Sequence, residues 1–135
     1  MCSSDLEDGI LVTDLAGNAV DSNARVAQMW NLPADALAGR DTRRITAHVC
    51  EQVLHPEVFM DRIRALYRAP DAEAFDIIEL KDGRVFERHS RPRRHEGLVI
   101  GRVWSFSDAS ERVAAEREMR AAKERLDMEI GRAHV

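Results

Sequence analysis

Few side chains in this 135-residue chain have the type and spacing that catalysis or metal binding requires. The sequence contains no glycine-rich phosphate loop, no nucleophile elbow and no zinc-binding spacing. His48 and His55 could each offer a nitrogen to haem iron, but His55 directly precedes Pro56 in a connection, and we do not expect haem. Cys50 is predicted to be a small core residue of a helix rather than a reactive thiol. We therefore expect neither an enzyme nor a metal protein.

The pair Asp82-Gly83 is typical of a two-residue hairpin loop, and such a loop fixes the pairing of the two strands that it joins. Lys81 would pair with Arg84, and the alternation would continue along strands 74–80 and 85–92. Residues paired across antiparallel strands point to the same face. One face would carry Phe75, Ile77, Glu79, Phe86, Arg88 and Ser90, and the other Asp76, Ile78, Leu80, Val85, Glu87 and His89.

We assign the face with the aromatic rings to the interior, beside Trp104 and Phe106, so Arg88 is predicted to be buried. A buried guanidinium without a partner is costly. Its partner could be Glu79 or a helix carboxylate, or a small anionic ligand held by the guanidinium fork. Helix residues Val49, Met60 and Ile63 could close such a pocket or simply pack in the core. The candidate ligand-binding residues are Arg88, Phe75, Ile77, Phe86, Trp104, Met60 and Ile63.

Strands and short helices alternate in the elements that would position these residues. The apolar runs and turn signals predict five strands, at 9–14, 19–22, 74–80, 85–92 and 98–108. Helices are predicted after the capping residue Asn23, from Pro33 through Leu37, and over 42–54 and 57–68. The order is two strands, several helices, three strands and a final long helix.

The last strand passes directly into that helix. Trp104 and Phe106 alternate with Val103 and Ser105, and helix-forming residues begin at Asp108. Asp108 is predicted to cap the helix, with Glu111 three residues on, as in a capping box. Ala115, Met119, Ala122 and Leu126 form an apolar seam of fewer than two heptads. A core strand that becomes a projecting helix is typical of a sensor or relay module.

Four short motifs in this order resemble those of PAS domains, the small sensor fold of signalling proteins. They are the Asp14…Gly17 turn with capping Asn23, Leu37-Ala38-Gly39-Arg40, Lys81-Asp82-Gly83-Arg84, and Asp108-Ala109-Ser110-Glu111-Arg112. The resemblance covers about residues 8–112. Ala109 and Ser110 depart from the family's Ile and Thr, and Ala19 and Ser22 stand where the family often has Ile and an aromatic residue.

The resemblance implies an α+β fold, with a five-stranded antiparallel sheet, short helices across one face and a projecting C-terminal helix. It also implies a pocket between sheet and helices, and a signal transmitted by Asp108, Ser110, Glu111 and Arg112. The seam then predicts a parallel homodimer linked to an output domain, either a histidine kinase or a cyclic-dinucleotide enzyme. Cys50 lacks the local motif of flavin-adduct photosensors of this superfamily, so we do not expect flavin, and the cofactor is left unknown.

Composition excludes several other classes. The net charge of −4 does not favour nucleic acid, and the basic residues Arg91, Arg93 and Arg94 are predicted to be the solvated end of a hairpin. No apolar run approaches the roughly 20 residues that a membrane span needs. The two cysteines, Cys2 and Cys50, do not imply a disulfide framework, which makes a reducing cytoplasm the expected location.

The two ends of the chain match each other in an unusual way. Residues 130–135, IGRAHV, can be encoded by a DNA whose complementary strand encodes Met1-Cys2-Ser3-Ser4-Asp5 when GTG serves as the start codon. We interpret residues 1–6 and 130–135 as read-through of a sequencing adapter, not as native protein. Sequencing the source locus tests this, and native codons that encode the same terminal residues would refute it.

These observations predict a sensor domain over 7–108 and a signalling helix over 109–129. The domain would relay a pocket or interface signal through the last strand to the helix and an output domain. The alternative is a ligand-free dimerisation module, whose core is filled by Phe75, Phe86, Trp104 and Phe106.

Overall fold

The computed structural model describes residues 8–33, 35–36 and 42–133, with side chains through Leu126. Its strands are β1 Gly9–Asp14, β2 Ala19–Ser22, β3 Ala74–Glu79, β4 Val85–His95 and β5 Leu98–Asp108. Its helices over the described residues are α1 Ala24–Trp30, α2 Thr42–Gln52, α3 Pro56–Arg68 and α4 Ser110–Ala133. The strands form one antiparallel sheet in the order β2-β1-β5-β4-β3, which confirms the predicted α+β fold. The motif at 37–40, residues 1–6 and the side chains of 130–135 lie outside the described residues.

Asn23 joins the first strand to the first helix. Its Oδ1 accepts the N–H of Val26, 3.1 Å away, and caps α1 as predicted. The same oxygen accepts the N–H of Ile10 at 3.0 Å, and its Nδ2 donates to the carbonyl of Asp8 at 2.9 Å. One side chain therefore fixes the position of α1 relative to β1.

The β3–β4 hairpin has a register one residue away from the prediction. Its loop is the three residues Lys81–Gly83, because Leu80 pairs with Arg84 (N···O 2.9 Å) and Gly83, at φ +96°, closes a turn onto the Leu80 carbonyl. Glu79 therefore faces Val85, and Asp76 faces Arg88. Since a one-residue slip reverses the faces of a strand, the β3 assignment was wrong while that of β4 was correct.

The core lies between the sheet and helices α1–α3 and is centred on Trp30, which is 1% exposed. Its indole makes edge-to-face contacts with Phe59, Phe86 and Phe106, at centroid distances of 6.2, 5.0 and 5.5 Å. Phe106 and Trp104 are buried as predicted. The rings of this cluster form the walls of the site described next.

A candidate ligand cavity bordered by Arg88

A cavity of about 240 Å³ lies between the inner face of the sheet and the helices. Most of its lining is apolar, and Thr13 and Tyr67 contribute hydroxyl groups. Among the described residues that line it, Arg88 has the one charged side chain. A mostly apolar cavity with a few convergent polar groups is typical of a small-molecule site.

Arg88 is 2% exposed, although it carries a guanidinium. The guanidinium carbon lies 4.7 Å from the centre of the Phe59 ring and 5.5 Å from that of Trp104. Nη2 donates to Oδ2 of Asp76 at 3.1 Å, whereas Nε and Nη1 have no hydrogen-bond partner among the described residues. Burial lowers the pKa of the guanidinium, and the charge of Asp76 offsets part of that shift.

Asp76 also holds a second arginine. Its Oδ1 lies 2.9 Å from Nε of Arg62, a half-exposed residue of α3. Arg62 and Asp76 border an outer cleft of about 350 Å³ between α3 and the edge strand β3. Because Arg88 and Phe59 line both spaces, they form the wall between the cleft and the cavity.

The structure brings together some of the predicted site residues and separates others. Arg88, Trp104, Met60 and Ile63 line the cavity, and Phe86 is fully buried in the core behind it. Phe75 and Ile77 were placed inside wrongly: they are 59% and 56% exposed on the opposite face of β3, because of the register slip. For the same reason the partner of Arg88 is Asp76 and not Glu79.

Sequence reasoning missed two polar residues that line the cavity, Thr13 and Tyr67. The Thr13 hydroxyl lies 2.6 Å from that of Tyr67 and accepts Nε1–H of Trp104 at 3.1 Å. These contacts join α3, β1 and β5. The alternation of β1 places Thr13 inward, but a contact 54 residues away leaves no local signal.

Burial raises the pKa of the Tyr67 phenol above its usual value near 10, and the hydrogen bonds to Thr13 and Trp104 offset part of the shift. A raised folded-state pKa means that stability is retained below pH 10 and falls as the pH rises towards the folded value. Tyr67 is the chain's single tyrosine, so tyrosinate absorbance reports it alone. We expect a midpoint above 10 in the folded protein and near 10 in urea, and equal midpoints would contradict the buried placement.

The junction between β5 and α4 is fixed by Asp108 and Ser110. Oδ1 of Asp108 accepts the backbone N–H of Ser110 at 2.9 Å and its hydroxyl at 2.6 Å. The Ser110 Oγ in turn accepts the N–H of Val85 on β4 at 2.9 Å. The expected capping box is absent, since the Glu111 side chain makes no hydrogen bond within the described part of the chain.

A family model described as the PAS fold matches residues 4–117, which is most of the chain. The chain belongs to the PAS-fold family. The resemblance read from the four sequence motifs is thereby confirmed.

Solved structures with this fold are remote in sequence. The sensor region of a sensor histidine kinase superposes with a TM-score of 0.60 at 11% identity, covering 77% of this chain and 40% of that one. The PAS domain of histidine kinase ThkA superposes with a TM-score of 0.55 at 16% identity, covering 76% of this chain and 100% of that one. An RNA-binding light-oxygen-voltage receptor superposes with a TM-score of 0.57 at 22% identity, covering 87% of this chain and 34% of that one. The chain thus spans less than half of the first and third, and no curated protein matches it.

In this PAS domain, strand β4 touches the cavity and the exit helix through alternate residues. Phe86 and Arg88 point to the core and cavity, while Val85 and Glu87 point to α4. Val85 packs on Ala109 and Val113, and the Glu87 carboxylate pairs with both terminal nitrogens of Arg112. Nε of Arg112 also lies 3.5 Å from Oε1 of Glu116.

No helix of the described residues is long and apolar enough to cross a membrane. In the same part of the chain, no cluster of acidic, His or Cys side chains could hold a metal ion.

Proposed function

We propose that this PAS domain is the sensory module of a larger signal-transduction protein. Occupancy of the cavity would shift β4 and β5, and Asp108, Ser110 and Arg112 would pass the shift to α4. An output domain, a histidine kinase or a cyclic-dinucleotide enzyme, would follow the helix. The module itself would bind and relay, without catalytic turnover. The similarity to sensor regions of histidine kinases supports this direction.

The observation that carries the proposal is the position of β4. Arg88 borders the cavity, and the preceding residue, Glu87, holds the helix residue Arg112. A ligand shifts an equilibrium only by binding one conformation more tightly than the other. A change in the Arg88 side chain can move the β4 backbone. In that backbone, the N–H of Val85 donates a hydrogen bond to the Ser110 hydroxyl.

We further propose that α4 pairs with a second copy of the chain. Its seam residues Met119 and Leu126 are 74% and 58% exposed in the single chain, which leaves apolar surface for a parallel partner helix. This exposed seam also favours the second candidate function, a dimerisation module that needs no ligand. We place the domain in the cytoplasm, where a free thiol such as that of Cys50 persists.

Hydrogen exchange in variants of the 135-residue chain tests the relay without any ligand. Arg88→Met removes the buried charge, and Arg93→Met makes the same change at an exposed position of the same strand. We expect Arg88→Met to alter amide exchange in the first two turns of α4 about fivefold, equivalent to about 1 kcal/mol of local opening. Arg93→Met should leave these rates unchanged.

The junction residue Ser110 supplies a further arm of this experiment. Ser110→Ala removes the hydroxyl that joins Asp108 and Val85, so it should abolish the effect of Arg88→Met on α4. Ser110→Thr keeps a hydroxyl and should preserve that effect. An exchange change confined to the strands, with α4 unaffected by Arg88→Met, would favour the ligand-free dimerisation module.

A further inference from the structure

Two guanidinium groups share one carboxylate beside the cavity. Asp76 lies between Arg88, which is buried, and Arg62, which is half-exposed to solvent, so the buried guanidinium shares its single carboxylate partner. Among the described residues that line the cavity, there is no carboxylate that could pair with it. The outer cleft has Asp61 and Glu79 at its border, but both are exposed and pair with Arg64 and Arg117. An anion inside the cavity would give the buried guanidinium a partner of its own.

The chain contains its own comparison for a buried arginine. Arg102 is 0% exposed, and its three nitrogens donate to the Ser90 hydroxyl and to the carbonyls of Pro70 and Ala72. Arg88 is buried to nearly the same degree, yet it uses one nitrogen. Arg102 is thus saturated by the fold, whereas Arg88 retains donors for a partner that the described chain does not supply.

The free donors have a geometry that suits a carboxylate. In a guanidinium, Nη1 and the adjacent N–H of Nη2 form one edge that can hold both oxygens of a carboxylate. Asp76 reaches Nη2 with one oxygen, which leaves Nε, Nη1 and one N–H of Nη2 for another anion. The rings of Phe59 and Trp104 near the guanidinium restrict its movement.

The size and lining of the cavity define the rest of the ligand. A dry apolar cavity of about 150 Å³ accommodates benzene, with its six carbon atoms. In the same proportion, a cavity of about 240 Å³ accommodates about ten non-hydrogen atoms. Trp30, Phe106, Ile63 and Val49 are among the residues that line the cavity, so most of the ligand's body would contact apolar side chains.

We propose that the cavity binds a compact apolar monocarboxylate, an aryl carboxylate of about ten non-hydrogen atoms, with its carboxylate on Arg88 and its ring among the core aromatic residues. This inference rests on the proposed sensory function and specifies its ligand class. Arg62 would keep Asp76 neutralised while Arg88 engages the ligand. A second carboxylate on the ligand would have no cation within the described lining.

Phenylacetate is the probe, with phenylacetamide as its neutral equivalent of the same size and acetate as the same charge without a ring. Calorimetric titration of the 135-residue chain should show phenylacetate binding at least about tenfold more tightly than either control. Arg88→Met should lower the affinity for phenylacetate by at least about tenfold. Arg88→Lys keeps the charge but not the forked pair of N–H donors, so it should lower the affinity by less. Arg93→Met should bind as the unaltered chain does.

Equal affinity for phenylacetate and phenylacetamide would overturn the proposal, since the cavity would then select shape without charge. Unchanged binding in Arg88→Met would overturn it by placing the ligand elsewhere. Absence of phenylacetate binding would also overturn the ligand class. The relay experiment above uses no ligand, so its outcome decides the sensory function independently of these three results.

Discussion

Gly101→Ala should destabilise the protein by at least about 3 kcal/mol. Gly101 lies in β5 opposite Asp14 of β1, and a Cβ atom at this position would come within 2.0 Å of the Thr13 carbonyl oxygen and 3.1 Å of the Asp14 Cα. These are backbone atoms, so no side-chain rotation can relieve the overlap. The β1–β5 ladder would have to separate, and β5 bears Trp104 and the strand end that leads to α4.

Gly83→Ala is the matched control for this prediction. Gly83 lies in the β3–β4 loop at φ +96° with open space around it, so alanine there meets backbone strain but no overlap, at a cost of about 1–2 kcal/mol. Urea unfolding followed by the fluorescence of Trp30 and Trp104 measures both variants. A Gly101→Ala protein as stable as Gly83→Ala would show that β1 and β5 are not as close as described.

Asp76→Ala should cost about 3–5 kcal/mol, because it leaves the Arg88 guanidinium buried without its carboxylate partner. Arg88→Met should be nearly neutral, since an apolar side chain of similar length replaces the charge and Asp76 keeps Arg62. The double variant Asp76→Ala/Arg88→Met should therefore be more stable than Asp76→Ala alone. Most substitutions add their costs, so this recovery of stability is specific to the pair.

Asp61→Ala provides the control for the acidic side chain itself. Asp61 is on the same helix as Arg62 and pairs with Arg64 at 3.2 Å, but its side chain is 76% exposed, so its loss should change stability by less than about 0.5 kcal/mol. Urea unfolding gives all four free energies. If Asp76→Ala costs no more than Asp61→Ala, solvent reaches Arg88 and the charge argument for the cavity fails.

Local pattern was enough to predict the strands, the helices α1–α3 and the exit from β5 into α4, whereas the five-stranded antiparallel sheet was implied by the resemblance to PAS domains. Strands show a period of two, and Asn23, Pro56 and Asp108 mark helix starts with their own side-chain or backbone chemistry. Burial of Arg88 also followed from alternation along β4. These features depend on neighbours within a few residues in sequence.

The site itself was harder to predict, since its contacts depend on register and on distant residues. Asp82-Gly83 suits both a two-residue and a three-residue loop, and the choice reversed Phe75, Asp76 and Ile77. The partnership of Glu87 with Arg112 spans 25 positions, and that of Thr13 with Trp104 spans 91. No local periodicity encodes either contact.

The two faces of β4 have a consequence for how such a domain can be altered. Arg88 borders the cavity, while Val85 and Glu87 contact the helix segment, so in the proposed relay the cavity-facing and helix-facing side chains occupy alternate positions of one strand. Under that proposal, substitutions on the cavity side would change ligand preference without replacing any side chain that contacts the helix, and the reverse holds for the helix side. If the proposed relay holds, the cavity-facing positions of β4 are the ones to redesign in a chimaeric receptor, in which a new stimulus is joined to an existing response.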